Sequence, residues 1–158
     1  GHLDVAIAVV VQKMVQSHRS GVMFTVHPVT GDPGRIVIEA VLGLGEVAVS
    51  GVVTPDLYVV NKDGFAIEER HISHQEKLLR VSPPTAEDEA DACLPDGQAW
   101  VSVPPAQGAA QKLAEAEIRT LAALASRIEA HYGAPQDIEW AEENGEFYIV
   151  QARPVTTV

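Results

Sequence analysis

The chain has 158 residues, close to half of them apolar, one cysteine and a formal charge of -11. That length allows one compact domain with a substantial core. The acid excess excludes a nucleic-acid partner, which would need a basic surface, yet it leaves room for a nucleotide held through a metal and one or two local cations. No apolar run is long enough to span a membrane. The single Cys93 excludes an internal disulfide, so a reducing, cytoplasmic setting is expected. Because the chain opens at Gly1 and runs almost directly into a strand-like stretch, it reads as a piece of a larger protein.

In chain order, residues 5–15 form an apolar, β-prone run and residues 21–26 a second strand. The turn formers of His27-Pro28-Val29-Thr30-Gly31-Asp32-Pro33-Gly34 mark a loop before a third strand at 35–40. Gly43-Leu44-Gly45-Glu46 is expected to open a short helical turn. A strand at 52–61, broken early by Pro55, should turn at Lys62-Asp63-Gly64 and return over 65–72. Residues 82–108 read as a variable, solvated excursion: Ser82-Pro83-Pro84 opens it, the acids Glu87, Asp88, Glu89 and Asp91 fill it, and Pro104-Pro105 closes it. One short strand is possible within it at 100–103. The clearest helix runs over 111–132, with Ile118, Leu121, Leu124, Ala125, Ile128 and Tyr132 on one face and Gly133 as its cap. Strands, then a long helix, then a hairpin define an α+β chain with mainly antiparallel pairing.

The hairpin carries the most chemistry. Asp137-Ile138-Glu139-Trp140 alternates acids with apolar residues, and Tyr148-Ile149-Val150-Gln151-Ala152-Arg153-Pro154 sets a glutamine and an arginine two apart. Asn144-Gly145 between them is a strong turn signal. With a two-residue turn and a regular ladder, Gln151 would oppose Ile138 and the polar groups would part to opposite faces. A three-residue Glu143-Asn144-Gly145 loop would pair Asp137 with Gln151, gather all four polar groups on one face and leave Ile138, Trp140, Tyr148 and Val150 for the core. Segregation of polar from apolar favours the three-residue loop. Carboxylates and a carboxamide suit Mg²⁺, which takes one or two carboxylates plus the phosphates of its substrate, and an arginine suits a phosphate. From pattern alone, an ordinary surface hairpin with salt bridges stands as the alternative.

Other groups complement one another less well. Gly43-Leu44-Gly45 lacks the Lys-Ser/Thr of a P-loop and the third glycine of a dinucleotide fingerprint. His71 and His74, three apart, would point to opposite faces of a strand, with no ligand pair beside them. His27, Cys93 and Ser50 lack the neighbours that would activate them as nucleophiles.

Taken together, Val10-Val11-Gln12-Lys13-Met14-Val15, Ser20-Gly21-Val22-Met23-Phe24-Thr25, His27-Pro28-Val29-Thr30-Gly31-Asp32, Gly43-Leu44-Gly45-Glu46, Val53-Thr54-Pro55-Asp56, Gln136-Asp137-Ile138-Glu139-Trp140 and Gln151-Ala152-Arg153-Pro154 resemble the phosphoenolpyruvate synthase and pyruvate phosphate dikinase family. The nucleotide-binding domain of that family is shared with rifampin phosphotransferase. The resemblance covers nearly the whole chain in order, apart from the acidic middle.

What the resemblance implies is an ATP-grasp fold, with residues 1–158 a single partial domain, the C-terminal subdomain: a mainly antiparallel sheet with a long helix packed on it. Glu139 and Gln151 would hold Mg²⁺ on the ATP phosphates, Arg153 would contact a phosphate, and Asp137 would order the site or assist the chemistry. Gln12, Lys13, Met14 and Val15 would form the hinge that meets the adenine. Such enzymes convert ATP, pyruvate and water to phosphoenolpyruvate, AMP and phosphate through a phosphohistidine on a swivelling domain. The N-terminal half of the nucleotide domain, the phosphohistidine segment and the acceptor domain have no counterpart here, so no histidine of this chain is the carrier. The fragment alone is expected to be inactive. A rifampin phosphotransferase-like kinase, or a non-catalytic nucleotide-binding module, is the alternative reading.

Overall fold

The computed structural model describes residues 8–81, the backbone of 90–93, and 97–156. The strands are β1 (Arg19–Phe24), β2 (Arg35–Leu42), β3 (Asp56–Asn61), β4 (Ile67–His71), β5 (Lys77–Arg80), β6 (Ala90–Cys93), β7 (Ala99–Ser102), β8 (Gln136–Glu143) and β9 (Glu146–Pro154). The helices are α1 (Glu46–Ser50), α2 (Pro105–Ala109) and α3 (Glu115–Tyr132). A six-stranded antiparallel sheet has the order β4-β3-β2-β1-β8-β9, and a three-stranded sheet the order β5-β7-β6. The expected α+β class with antiparallel pairing is therefore observed. Among the described residues no helix is long and apolar enough to cross a membrane.

Period-two alternation sorts the large sheet into two faces. Met23, Ile36, Ile38, Tyr58, Ile138 and Trp140 point to one side and bury Ile118, Leu121, Ala122 and Ala125 of α3. Burial of such side chains contributes about 1.5–3 kcal/mol each, so this single layer of contact fixes α3 and the sheet together. The intervening residues of β2 and β8, among them Glu39, Asp137 and Glu139, are left for the other face. At its C-terminus α3 stops on Gly133 in a left-handed conformation (φ 69°), as the sequence suggests.

Several expectations are corrected. The described part of the first apolar run belongs to no strand; Val9, Val10 and Val11 are more than four-fifths exposed and Met14 is 69% exposed. Both neighbours of β1 are already filled, by β2 and β8, so the run cannot pair with the strand that follows it. The helix begins at Glu115 rather than 111: Ala114 ahead of it is extended (φ −68°, ψ 156°), and before that Lys112 N–H donates to Asp56 Oδ2 (2.9 Å) and Leu113 N–H to Tyr58 Oη (3.3 Å). Both contacts tie this segment to side chains of β3 ahead of the helix. Glu117 then closes the first turn by accepting from Ala114 N–H at 2.9 Å. Within the stretch 82–108 the short strand expected at 100–103 is present as β7, and the described residues add β6 and the start of α2. Its acidic residues 87–89 lie outside the described residues.

The hairpin is also corrected. Asn144 (φ 53°) and Gly145 (φ 84°) make a two-residue turn with both residues in the left-handed region, and Glu143 pairs with Glu146. The three-residue loop is absent. A β-bulge at Val150 shifts the register, so Trp140 pairs with Ile149, but Glu139 pairs with Gln151 and Asp137 with Arg153. The bulge thus recovers by other means the gathering of the four polar groups. Its second effect is that Phe147, Ile149 and Ala152, not Tyr148 and Val150, pack on the core.

Candidate functional site

Directly opposed residues of an antiparallel pair share a face. Glu139 and Gln151 are so opposed, and one pair further along Arg153 Nε donates to Asp137 Oδ2 at 2.9 Å. The Asp137 carboxylate is mostly covered, with 18% exposure, while Arg153 keeps 64% and projects into open space. A carboxylate and a carboxamide oxygen side by side, with a guanidinium next in line, make a set suited to a hard cation and a phosphate. Among the described residues no cluster of three or more His, Cys, Asp or Glu side chains is placed to hold a metal by itself. Any cation here would take its remaining ligands from a substrate or water.

A cavity of about 740 Å³ opens beside this row. One wall is the segment of Gln12, Lys13, Met14 and Val15; another is Glu139, Trp140, Tyr148, Ile149 and Val150; a third is Leu44, Gly45, Glu46 and Val49. Lys13 Nζ lies 5.4 Å from the centre of the Tyr148 ring, a cation–π contact that ties the first wall to the second. Every expected hinge residue and Glu139 therefore meet at one cavity. Asp137, Gln151 and Arg153 do not line it; they continue along the same strand face. The lining joins apolar side chains, among them Met14, Leu44 and Val49, to the carboxylates of Glu46 and Glu139.

Glu39 was not singled out from the sequence. It follows core-facing Ile38 on β2, so it faces the side that Glu139 faces on β8, and β1 lies between them. Burial pushes its carboxyl above the ordinary carboxylate value. The signal was present as a lone acid inside the apolar strand Arg35-Ile36-Val37-Ile38-Glu39-Ala40. Beneath the site, Arg19 of β1 donates to Glu142 Oε2 (2.8 Å) and to both oxygens of Glu117 (2.8 and 2.6 Å), binding β1, β8 and α3 into one frame. Its hydrogen bonds to Glu117 and Glu142 outweigh desolvation and hold the guanidinium charged, and the same contact lowers the Glu117 carboxyl. Tyr148 at the rim is raised chiefly by its hydrogen bond to Glu146.

An antiparallel sheet with one helix-covered face and one face carrying Glu139, Gln151, Asp137 and Arg153, beside an open cavity, is the frame in which these polar groups are held. Comparison with known proteins names the family: the model of the pyruvate phosphate dikinase AMP/ATP-binding domain matches residues 1–158, and the chain belongs to that family. It is 48% identical over 158 residues to a probable phosphoenolpyruvate synthase of Archaeoglobus fulgidus, covering 99% of this chain and 19% of that protein. It is 44% identical over 157 residues to a probable phosphoenolpyruvate synthase of Methanocaldococcus jannaschii, covering 99% and 12%. Against the phosphoenolpyruvate synthase of Pyrococcus furiosus the identity is 43% over 161 residues, covering 99% and 19%. The chain thus spans no more than about a fifth of the length of these curated relatives.

Proposed function

We propose that this chain is the C-terminal subdomain of an ATP-grasp nucleotide site, and that Glu139 and Gln151 are its Mg²⁺ ligands. The observation that carries this reading is the direct cross-strand pairing of Glu139 with Gln151 on the face that opens into the cavity. The donor set fits the ion: two hard oxygen donors from protein, with further positions left for phosphate oxygens and water. When bound, Mg²⁺ would neutralise charge on the transferring phosphates.

The chain's own residues do the rest. Met14 and Val15 supply apolar surface for the adenine, while Gln12 and Lys13 beside them lie outside any strand or helix and offer backbone polar groups to the base edge. Arg153 offers a guanidinium to a phosphate, and its ion pair with Asp137 fixes where that guanidinium points. Asp137 is thereby a positioning group for Arg153. Fixed positive charge already in place when the phosphoryl group moves requires no reorganisation in the transition state.

The relatives named phosphoenolpyruvate synthase support the same activity for the whole enzyme. In that reading ATP, pyruvate and water give phosphoenolpyruvate, AMP and phosphate through a phosphohistidine, with the carrier and the acceptor site on parts of the protein beyond this chain. In the full-length protein, Glu139→Ala should abolish ATP-dependent phosphorylation without loss of the fold, read by transfer of label from [γ-³²P]- or [β-³²P]ATP and by circular dichroism. Unchanged labelling would refute the site.

A further inference from the structure

Leu44 forms part of the cavity wall, and the Gly43–Leu44 corner that leads into it is held by backbone hydrogen bonds. Gly43 N–H donates to His18 O (2.8 Å), Ser20 Oγ donates to Gly43 O (2.6 Å), and Leu44 N–H donates to Leu79 O (2.9 Å). Gly43 itself has φ 83°, and a Cβ there would stand 2.5 Å from Leu79 O, so only glycine fits. Just before it, Leu42 overhangs the sheet. Ala40 is paired with Asp56, the first residue of β3, and among the described residues no strand residue reaches Leu42 on that side.

A side chain takes the place of the missing strand. Gln75 is 1% exposed; its Oε1 accepts from Leu42 N–H (2.8 Å) and its Nε2 donates to Leu42 O (2.9 Å) and to Lys77 O (2.9 Å). One carboxamide thus imitates the paired N–H and C=O of a neighbouring strand residue and links the end of β2 to the start of β5. Gln75 is in turn anchored. Its N–H donates to Gly108 O (3.0 Å), and Gly108 lies so close to Gln75 O that a Cβ would come within 2.1 Å. Lys112 Nζ donates to Ser73 O and Gly108 O, and sits 3.1 Å from Asp56 Oδ1, both charged side chains being 1% exposed or less. Asp56 also accepts from Ser73 N–H (2.9 Å).

We infer that Gln75 is a positioning residue for the nucleotide: anchored by the buried Asp56–Lys112 pair, its carboxamide holds the end of β2 so that Leu44, Gly45, Glu46 and Val49 stand as the wall of the ATP cavity. This rests on the nucleotide-site reading above. Gln75 touches no cavity-lining residue of that wall directly, so its effect passes through the Leu42–Gly43 backbone. Without the carboxamide, the N–H and C=O of Leu42 lose their partners, and buried backbone groups do not stay unpaired when the segment can shift to find water.

The test uses the full-length protein with Gln75→Met, which keeps length and removes the hydrogen bonds. A second variant, Ile118→Val on α3, is taken as a stability control that leaves the corner untouched. Two readouts are compared: amide hydrogen exchange at Leu42, Gly43 and Leu44, and KM for ATP against kcat for ATP-dependent phosphorylation. The inference expects faster exchange at these amides and a KM for ATP raised about tenfold in Gln75→Met, with neither change in Ile118→Val. An unchanged KM for ATP in Gln75→Met overturns it, as does an equal rise in both variants. Wild-type protein that binds no nucleotide would refute the function reading, and this inference with it; wild-type protein that binds ATP beside an unaltered Gln75→Met refutes this inference alone.

Discussion

Glu139 and Gln151 stand opposite each other on β8 and β9 only because Val150 is an extra residue in the ladder between them and the Asn144-Gly145 turn. A regular two-residue hairpin would have set Val150 against Glu139 and turned Gln151 to the other side. The bulge also leaves Val150 in the cavity wall beside Glu139. Local chain geometry and the placement of the proposed Mg²⁺ ligands are therefore one feature.

Removing the bulge should keep the pair. Deleting Val150 moves Gln151 into the position opposite Glu139 in a regular ladder, with the turn unaltered. The expected outcome is a folded protein whose ATP binding still depends on Mg²⁺, but with weaker affinity because one apolar wall residue is gone. Calorimetry on the deletion variant checks this. Loss of the Mg²⁺ dependence would mean that the bulge, not the pairing, sets the site.

Much of this was legible in the sequence, for identifiable reasons. Asn144-Gly145 encodes a turn with both residues at positive φ, and the alternation of Asp137-Ile138-Glu139-Trp140 encodes which face is wet. The bulge was not legible, because Val150 is an ordinary β-branched residue and carries no glycine to mark the irregularity. Segregation of polar from apolar side chains was the right criterion, applied to the wrong loop. The start of α3 was misplaced because the helical period cannot tell that Lys112 and Leu113 give their N–H groups to Asp56 and Tyr58. Gln75 was invisible for a similar reason: a lone glutamine between polar neighbours reads as surface until the fold brings Leu42 to it. Exposure of the first apolar run reflects tertiary context overriding β propensity.

Glu39 supplies a prediction about pH. Its folded-state pKa is raised by burial, so its protonated form is the one the fold favours. Any stabilisation from this group is fully present below the unfolded carboxylate value of about 4.3 and is lost as pH rises through the higher folded value. At neutral pH, without metal, the charged side chain destabilises the fold. Glu39→Gln should therefore raise Tm at pH 7, with the gain vanishing near pH 4, as followed by thermal melts across that range. A Tm lowered at pH 7 would show that the carboxylate has a compensating partner in solution.

The Arg19 frame predicts the opposite sign at the acid side. Its hydrogen bond lowers the Glu117 pKa, so the stability from this contact is present above the unfolded carboxylate value and is lost as pH falls through the lowered folded value. Arg19→Met would leave Glu117 and the nearly buried Glu142 facing each other without a cation. The expected cost at pH 7 is about 3 kcal/mol, since breaking a largely buried pair strands its partners. Chemical denaturation at pH 7 and at pH 3.5 should show this penalty shrinking at the lower pH.

The most direct test is calorimetric titration of the full-length protein with ATP, with and without Mg²⁺, in the wild type and in Glu139→Ala and Gln151→Ala. The account predicts that Mg²⁺ strengthens ATP binding to the wild type and that this increment disappears in both variants, while the weaker metal-free binding at the Met14 and Val49 surface survives. A Mg²⁺ increment undiminished in Glu139→Ala and Gln151→Ala would contradict it and move the metal away from the hairpin.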